Sequence, residues 1–182
     1  MLDIKKYLSS YSDLLFTDSV EEKLLSIKDK VLKVGNNKIL VFGNGGSAAI
    51  ADHFAVDMTK NAKIKTLSLN ISPLITCLAN DFGYEFWMEK AIEMYGNKGD
   101  ILFLISSSGN SKNVVNACNY ANKNNIETIT FTGFDDDNNL KKIGQTNFWV
   151  NSKSYNIVEN VHQIWILSLV DLVIGKSEYS AS

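Results

Sequence analysis

The chain has 182 residues, 45% of them apolar, with a formal net charge of −2 and a pI near 5.7. That is enough for one domain with a full core, and too apolar for a disordered chain. The balance lacks the basic footprint of a nucleic-acid binder, and no run of roughly 18 apolar residues reads as a bilayer span.

Residues 1–6 have no apolar signal core, so a cytoplasmic protein is expected. Residues 3–34 read as helical, with Leu14, Leu15, Val20, Leu24, Leu25, Ile27, Val31 and Leu32 recurring three and four apart. Phe16-Thr17-Asp18-Ser19 breaks this stretch and offers an N-cap, and Gly35-Asn36-Asn37 ends it. Strands and helices then alternate: strand 38–42, helix 47–60, strand 64–69, a short helix over 73–80, a longer one over 84–95 and strand 101–105. Helix 111–124, strand 126–131, a short helix over 139–143, strand 146–150 and a last helix over 157–174 follow. This order predicts an α/β fold, a five-stranded parallel sheet with helices on both faces and an N-terminal helical extension. One domain is expected over 1–182: helices over 1–36, a core over 37–175 and a frayed tail over 176–182.

Cys77 and Cys118 lie outside any CxxC arrangement and are expected as buried, reduced thiols. Lys60, Lys63 and Lys65 form the one local basic cluster, either a solvated face or a phosphate clamp. Asp135-Asp136-Asp137-Asn138-Asn139 reads as a solvated polar turn.

Two loops carry most of the functional information: Gly43-Asn44-Gly45-Gly46-Ser47 and Ser106-Ser107-Ser108-Gly109-Asn110-Ser111. Each follows a β-type run and leads into a helix. A glycine-rich turn brings backbone N–H groups close to an anion, and the helix N-terminus adds partial positive charge. Serine hydroxyls donate to phosphate oxygens without adding charge. In a parallel sheet both loops fall at carboxyl ends of strands, where ligands bind. Gly43-x-Gly45-x-x-Ala48 fits a dinucleotide fingerprint in form. The acid expected about twenty residues on is missing, because the second strand ends Leu67-Ser68-Leu69-Asn70. No Gly-Lys-Ser/Thr follows either, so a P-loop is excluded. No nucleotide cofactor is expected, and the ligand is read as a phosphorylated small molecule.

Phe42-Gly43-Asn44-Gly45-Gly46-Ser47-Ala48-Ala49, His53-Phe54-Ala55, Leu78-Ala79-Asn80-Asp81-Phe82-Gly83-Tyr84-Glu85 and the serine loop occur in this order. Together they resemble sugar isomerase (SIS) domains, and most of all the phosphoheptose isomerase branch. The resemblance implies a three-layer αβα sandwich and a homotetramer with sites at subunit interfaces. It also implies aldose–ketose isomerisation of sedoheptulose 7-phosphate, on the way to activated heptose for surface polysaccharide such as lipopolysaccharide or capsule. Ser106, Ser107, Ser108 and Ser111 inherit the phosphate, while Asn44, Gly45, Ser47, Asn80 and Asp81 inherit contacts to the sugar. The chain departs from the pattern in two helices. Asp57 stands where the family's first helix typically has Glu, four residues after His53. Glu159 and Leu167 stand where its last helix typically has Gln and, eight residues on, His.

Isomerisation through an enediol needs a base and a group that handles charge on oxygen. His53 and Asp57 lie one helical turn apart, as do Glu159 and His162. Asp57, Glu159 and His162 are therefore the candidate acid–base residues. The same residues with His53 form a candidate zinc set, since zinc accepts imidazole nitrogen and carboxylate oxygen. His53 also reads as a buried helix residue bonded to a backbone carbonyl, Asp57 as a surface charge near Lys60, and Glu159 and His162 as an ordinary polar face. Trp87, Trp149 and Trp165 read as core or subunit-contact residues. Two alternatives follow from the departures: a non-catalytic tetrameric SIS binding protein of the replication-initiator-associating type, or an isomerase for a different sugar phosphate.

Overall fold

The computed structural model describes residues 3–17 and 19–178. Asp18, part of the expected N-cap, and residues 179–182 of the expected frayed tail lie outside the described residues. The elements are α1 (Ile4–Leu15), α2 (Val20–Leu32), β1 (Ile39–Gly43), α3 (Gly46–Lys60), β2 (Thr66–Ser68), α4 (Ser72–Phe82) and α5 (Trp87–Tyr95). They continue with β3 (Ile101–Ser106), α6 (Lys112–Lys123), β4 (Glu127–Thr132), α7 (Asn139–Ile143), β5 (Thr146–Trp149) and α8 (Tyr155–Ile174).

The five strands form one parallel sheet in the order β2-β1-β3-β4-β5. The chain winds outward from β1 to β2, then returns to β3 on the other side of β1. The winding thus reverses between β1 and β3, and a crevice opens at their carboxyl ends.

Alternation along the strands sorts the core into two layers. Ile39, Val41, Ile101, Phe103 and Ile105 face the helices α2, α3 and α8. Leu40, Phe42, Leu102 and Leu104 face α5 and α6, with Trp87, Met88, Ala117 and Cys118 among their neighbours. On the first face the rings of Phe103, Phe131 and Phe148 run across β3, β4 and β5, with Phe131 and Phe148 stacked at 4.7 Å. At the amino ends of β1 and β3 the buried Asp100 carboxylate receives Lys38 Nζ at 2.6 Å and Lys38 N–H at 3.0 Å. That end is thereby closed, and the opposite end is left for ligands.

Several elements differ from the sequence reading. The sheet's edge strand β2 shrinks to three residues, and the Thr59 hydroxyl bonds both the N–H and the carbonyl of Thr66 at its start. Helix α4 runs to Phe82, where Gly83 at φ 91° ends it, and α5 starts only at Trp87. By length and composition α8 could cross a bilayer, yet Val158, Val161, Trp165, Ile166 and Leu169 are buried against the sheet. Cys118 is buried, and burial pushes its thiol up to about 11. Cys77 is exposed, contrary to expectation, because α4 turns only Leu78 fully into the core.

Candidate active site

The first loop starts where β1 ends. A Cβ on Gly43 would lie 2.5 Å from the Ser47 backbone carbonyl, so the chain folds back on α3 too closely for a larger residue. Gly45 precedes α3 at φ 55°, Ser47 N–H bonds the Asn44 carbonyl at 3.0 Å, and Ser47 is buried.

The serine loop starts where β3 ends, and Gly109 N–H closes it onto the Ser106 carbonyl at 3.0 Å. Its outer side is tied to the next units of the sheet. Gly133 N–H bonds the Ser107 carbonyl at 2.9 Å, Leu140 N–H bonds the Gly109 carbonyl at 2.9 Å, and Asn139 N–H bonds Asn110 Oδ1 at 3.1 Å. Ser111 then takes the N-cap position of α6, with no capping bond from its hydroxyl. The Ser107 hydroxyl is buried and has no hydrogen-bond partner.

Between the two loops lies a cavity of about 170 Å³ lined by Asn44, Ser47, Ile105, Ser106, Ser107, Ser108, Ser111, Tyr155 and Glu159. It is small beside the roughly 300–1,000 Å³ of a cofactor-sized pocket. Phosphate with the adjoining end of a small molecule suits it better than a dinucleotide. No lysine or arginine is among these residues. An anion here meets hydroxyls, an amide and the N-termini of α3 and α6 instead. The single ionisable carboxylate is Glu159, from the first turns of α8. It lies over Gly46, where an added Cβ would overlap it. Burial raises the Glu159 pKa above the ordinary carboxylate value.

The other expected site residues take different places. Gly45 lies exposed beside the cavity. Asn80 and Asp81, on α4, are exposed and bond each other at 2.8 Å. Their motif reaches the cavity through Tyr84, whose hydroxyl donates to Asn44 Oδ1 at 3.0 Å. His53 lies seven residues into α3 from Gly46, ~10 Å along the axis. It is exposed, with Nε2 3.2 Å from Asp57 Oδ2 and Nδ1 2.9 Å from Gln163 Nε2 of α8. Within the chain this pair lies outside the lining of the serine-loop cavity.

His162 is turned the other way. It is fully buried, packs against Phe131 and Trp165, and holds the Thr132 carbonyl through Nε2 at 3.0 Å. Burial pushes its pKa down to about 4. The four candidate zinc donors therefore do not assemble in the chain. Among the described residues no three His, Cys, Asp or Glu side chains are grouped to hold a metal ion. Leu167, at the position where the resemblance expects His, packs against the core on the α8 side.

Three residues of the site were missed. Tyr155 lines the cavity from the start of α8, Tyr84 bonds Asn44, and the buried Asn113 pairs with Asn44 through both amides. Helix α8 starts two residues before the expected position, which is what brings Tyr155 to the cavity.

A parallel αβα sandwich with serine and glycine loops meeting at its switch point defines a sugar-phosphate-binding type of domain. Residues 18–133 match the SIS domain family, and the chain belongs to it. Among its relatives are phosphoheptose isomerases. The chain is 35% identical to the probable phosphoheptose isomerase of Thermoplasma acidophilum, over 88% of this chain and 92% of that one. It is 30% identical to the phosphoheptose isomerase of Fusobacterium nucleatum, over 92% and 86% of the two chains. The structure of phosphoheptose isomerase from Neisseria gonorrhoeae superposes with a TM-score of 0.81 at 27% identity, covering 92% of each chain.

Proposed function

We propose that the chain is a cytoplasmic phosphoheptose isomerase that converts sedoheptulose 7-phosphate to the aldose heptose 7-phosphate, feeding activated heptose for surface polysaccharide. The observation that carries the reading is the shared cavity. A vacant buried serine hydroxyl and a carboxylate of raised pKa line one small space at two helix N-termini.

The serine loop binds the phosphate through Ser106, Ser107, Ser108 and Ser111, and Asn44, Gly45 and Ser47 meet the sugar. Asn80 and Asp81 approach the sugar from the rim. Glu159 is the base of the cavity. It takes a proton from C1 of the ketose, leaving an enediolate; the O1 proton passes to O2, and Glu159 returns its proton to C2 as the aldehyde forms at C1. Its raised pKa makes it a stronger base than an ordinary carboxylate. His53 and Asp57 serve a proton relay on the adjoining turn of α3, and subunits of a homotetramer bring such exposed pairs to neighbouring cavities. Among the described residues the candidate zinc donors do not converge within one chain, and no step is assigned to zinc. His162, buried in the core, takes no proton from the ligand.

Glu159 also favours an enzyme over a non-catalytic binding protein, because a carboxylate facing a phosphate site opposes anion binding, a cost that a proton-transfer role explains. Incubation of the purified protein with five- to seven-carbon ketose phosphates tests the reading. Aldose formation from sedoheptulose 7-phosphate at the highest kcat/KM is expected. Turnover of none of them would leave the binding-protein reading, and preference for a shorter ketose would change the substrate.

A further inference from the structure

Asn113 is the second residue of α6 and is buried. Its side-chain amide exchanges two hydrogen bonds with Asn44 across the crevice. Nδ2 of Asn113 lies 2.9 Å from Asn44 Oδ1, and Nδ2 of Asn44 lies 3.1 Å from Asn113 Oδ1. A symmetric amide pair would hold equally well with both amides flipped. One backbone group breaks the symmetry. Val114 N–H, which only donates, bonds Asn113 Oδ1 at 3.1 Å. That atom is therefore the oxygen, Asn113 Nδ2 faces Asn44, and the facing atom of Asn44 is Oδ1. The Tyr84 hydroxyl also meets Asn44 Oδ1, at 3.0 Å, and so donates to it. The Asn44 oxygen is thus engaged twice. The one polar group of its side chain left uncommitted is a single Nδ2 hydrogen, on a residue that lines the cavity.

We propose that Asn113, with Tyr84, is a positioning residue that commits Asn44 to donating a hydrogen bond to an oxygen of the bound sugar phosphate. This rests on the reading of the cavity as the substrate site. Asn113 itself has no place in the cavity lining. It acts by denying Asn44 the flipped state, in which an amide oxygen would oppose an oxygen-rich anion. It also ties the first loop to the start of α6, so both helix N-termini keep one spacing.

The test is a double-mutant cycle on kcat/KM for sedoheptulose 7-phosphate, with Asn113→Leu, Asn44→Ala and both together. Asn113→Leu keeps the buried volume and frees Asn44, and a loss of about tenfold or more is expected, the scale of one hydrogen bond to a charged group. In the Asn44→Ala background the same change has no further effect. A generally loosened fold would cost activity in both backgrounds, so multiplying losses overturn the proposal, as does an unchanged Asn113→Leu enzyme. If Asn113→Leu does not fold, Tyr84→Phe replaces it. This residue is largely exposed, and a several-fold loss that vanishes in the Asn44→Ala background is expected. Full activity of Tyr84→Phe would overturn the proposal. Inorganic phosphate binding by the unaltered chain is measured alongside. Its absence removes the cavity reading together with this proposal, whereas phosphate binding with an unaffected Asn113→Leu removes this proposal alone.

Discussion

Glu159 lies so close over Gly46 that a methyl group on the glycine would overlap its carboxylate. The contact joins the start of α8 to the start of α3 and fixes the cavity's only carboxylate. Gly46→Ala meets the far end of a flexible side chain, so the fold should accommodate it within about 1 kcal/mol, with Ala the better helix former. Glu159 would have to move. Turnover should fall at least tenfold while the thermal midpoint changes little; unchanged turnover would show that the carboxylate's placement is immaterial.

Glu159→Gln keeps the size and removes the base. A loss on the order of 10²-fold or more in kcat is expected, the usual contribution of a positioned acid or base. Phosphate ester binding should hold or tighten as the negative charge leaves the cavity, which calorimetry with the ketose phosphate would register. Weakened binding at full kcat would reverse the assignment.

Ser107→Ala separates binding from folding. The Ser107 hydroxyl is buried with no partner, so its removal leaves no bond broken in the free protein. Stability should be unchanged or slightly higher, while sugar-phosphate affinity falls about tenfold, the scale of a hydrogen bond worth roughly 1.5–3 kcal/mol to a charged group. Equal affinity in the variant would take the loop out of the site.

His162 ties stability to pH. Its folded pKa is lowered to about 4, because protonation would place a charge between Phe131 and Trp165. The unfolded chain protonates near the ordinary value of ~6.5. The contribution is therefore complete above that pH and is lost as pH falls through the folded value, by up to about 3 kcal/mol. Urea unfolding at pH 7 and pH 4.5 should show this loss in the unaltered chain and not in His162→Gln. Equal losses in both would assign the pH dependence elsewhere.

The fold was legible because strands, glycine turns and helices alternate with little ambiguity, and the serine loop's place at the carboxyl end of a strand was legible from the punctuation around residues 106–111. His162 was misplaced for a geometric reason. Three residues along a helix turn about 300°, so it sits ~60° from Glu159. On α8, buried over a wide arc, that rotation carries the side chain from cavity to core. The Asn113 contact was invisible because it forms only when β1 and β3 pair and bring Asn44 to the start of α6, and Tyr84, though inside a quoted motif, meets Asn44 only in the folded chain. Cys77 looked buried in an apolar segment, yet α4 packs along a single narrow face.

Helix α1 has no fully buried residue, and Phe16, Leu25 and Ile164 lie exposed around an apolar groove between α1, α2 and α8. Such a surface favours association. Sedimentation at micromolar concentration should give about four times the 20.3 kDa chain mass, and Phe16→Ser should shift it to smaller species. A 20 kDa particle alone would contradict the shared-site arrangement.

The central claim is that this cavity isomerises sedoheptulose 7-phosphate through proton transfer by Glu159. The direct measurement is proton NMR of the purified protein with this ketose phosphate in D₂O. Proton transfer through an exchangeable carboxylate predicts appearance of the aldose with deuterium at C2, slowed on the order of 10²-fold or more in Glu159→Gln. No aldose and no deuterium incorporation with the unaltered chain, or equal rates in the variant, would contradict it.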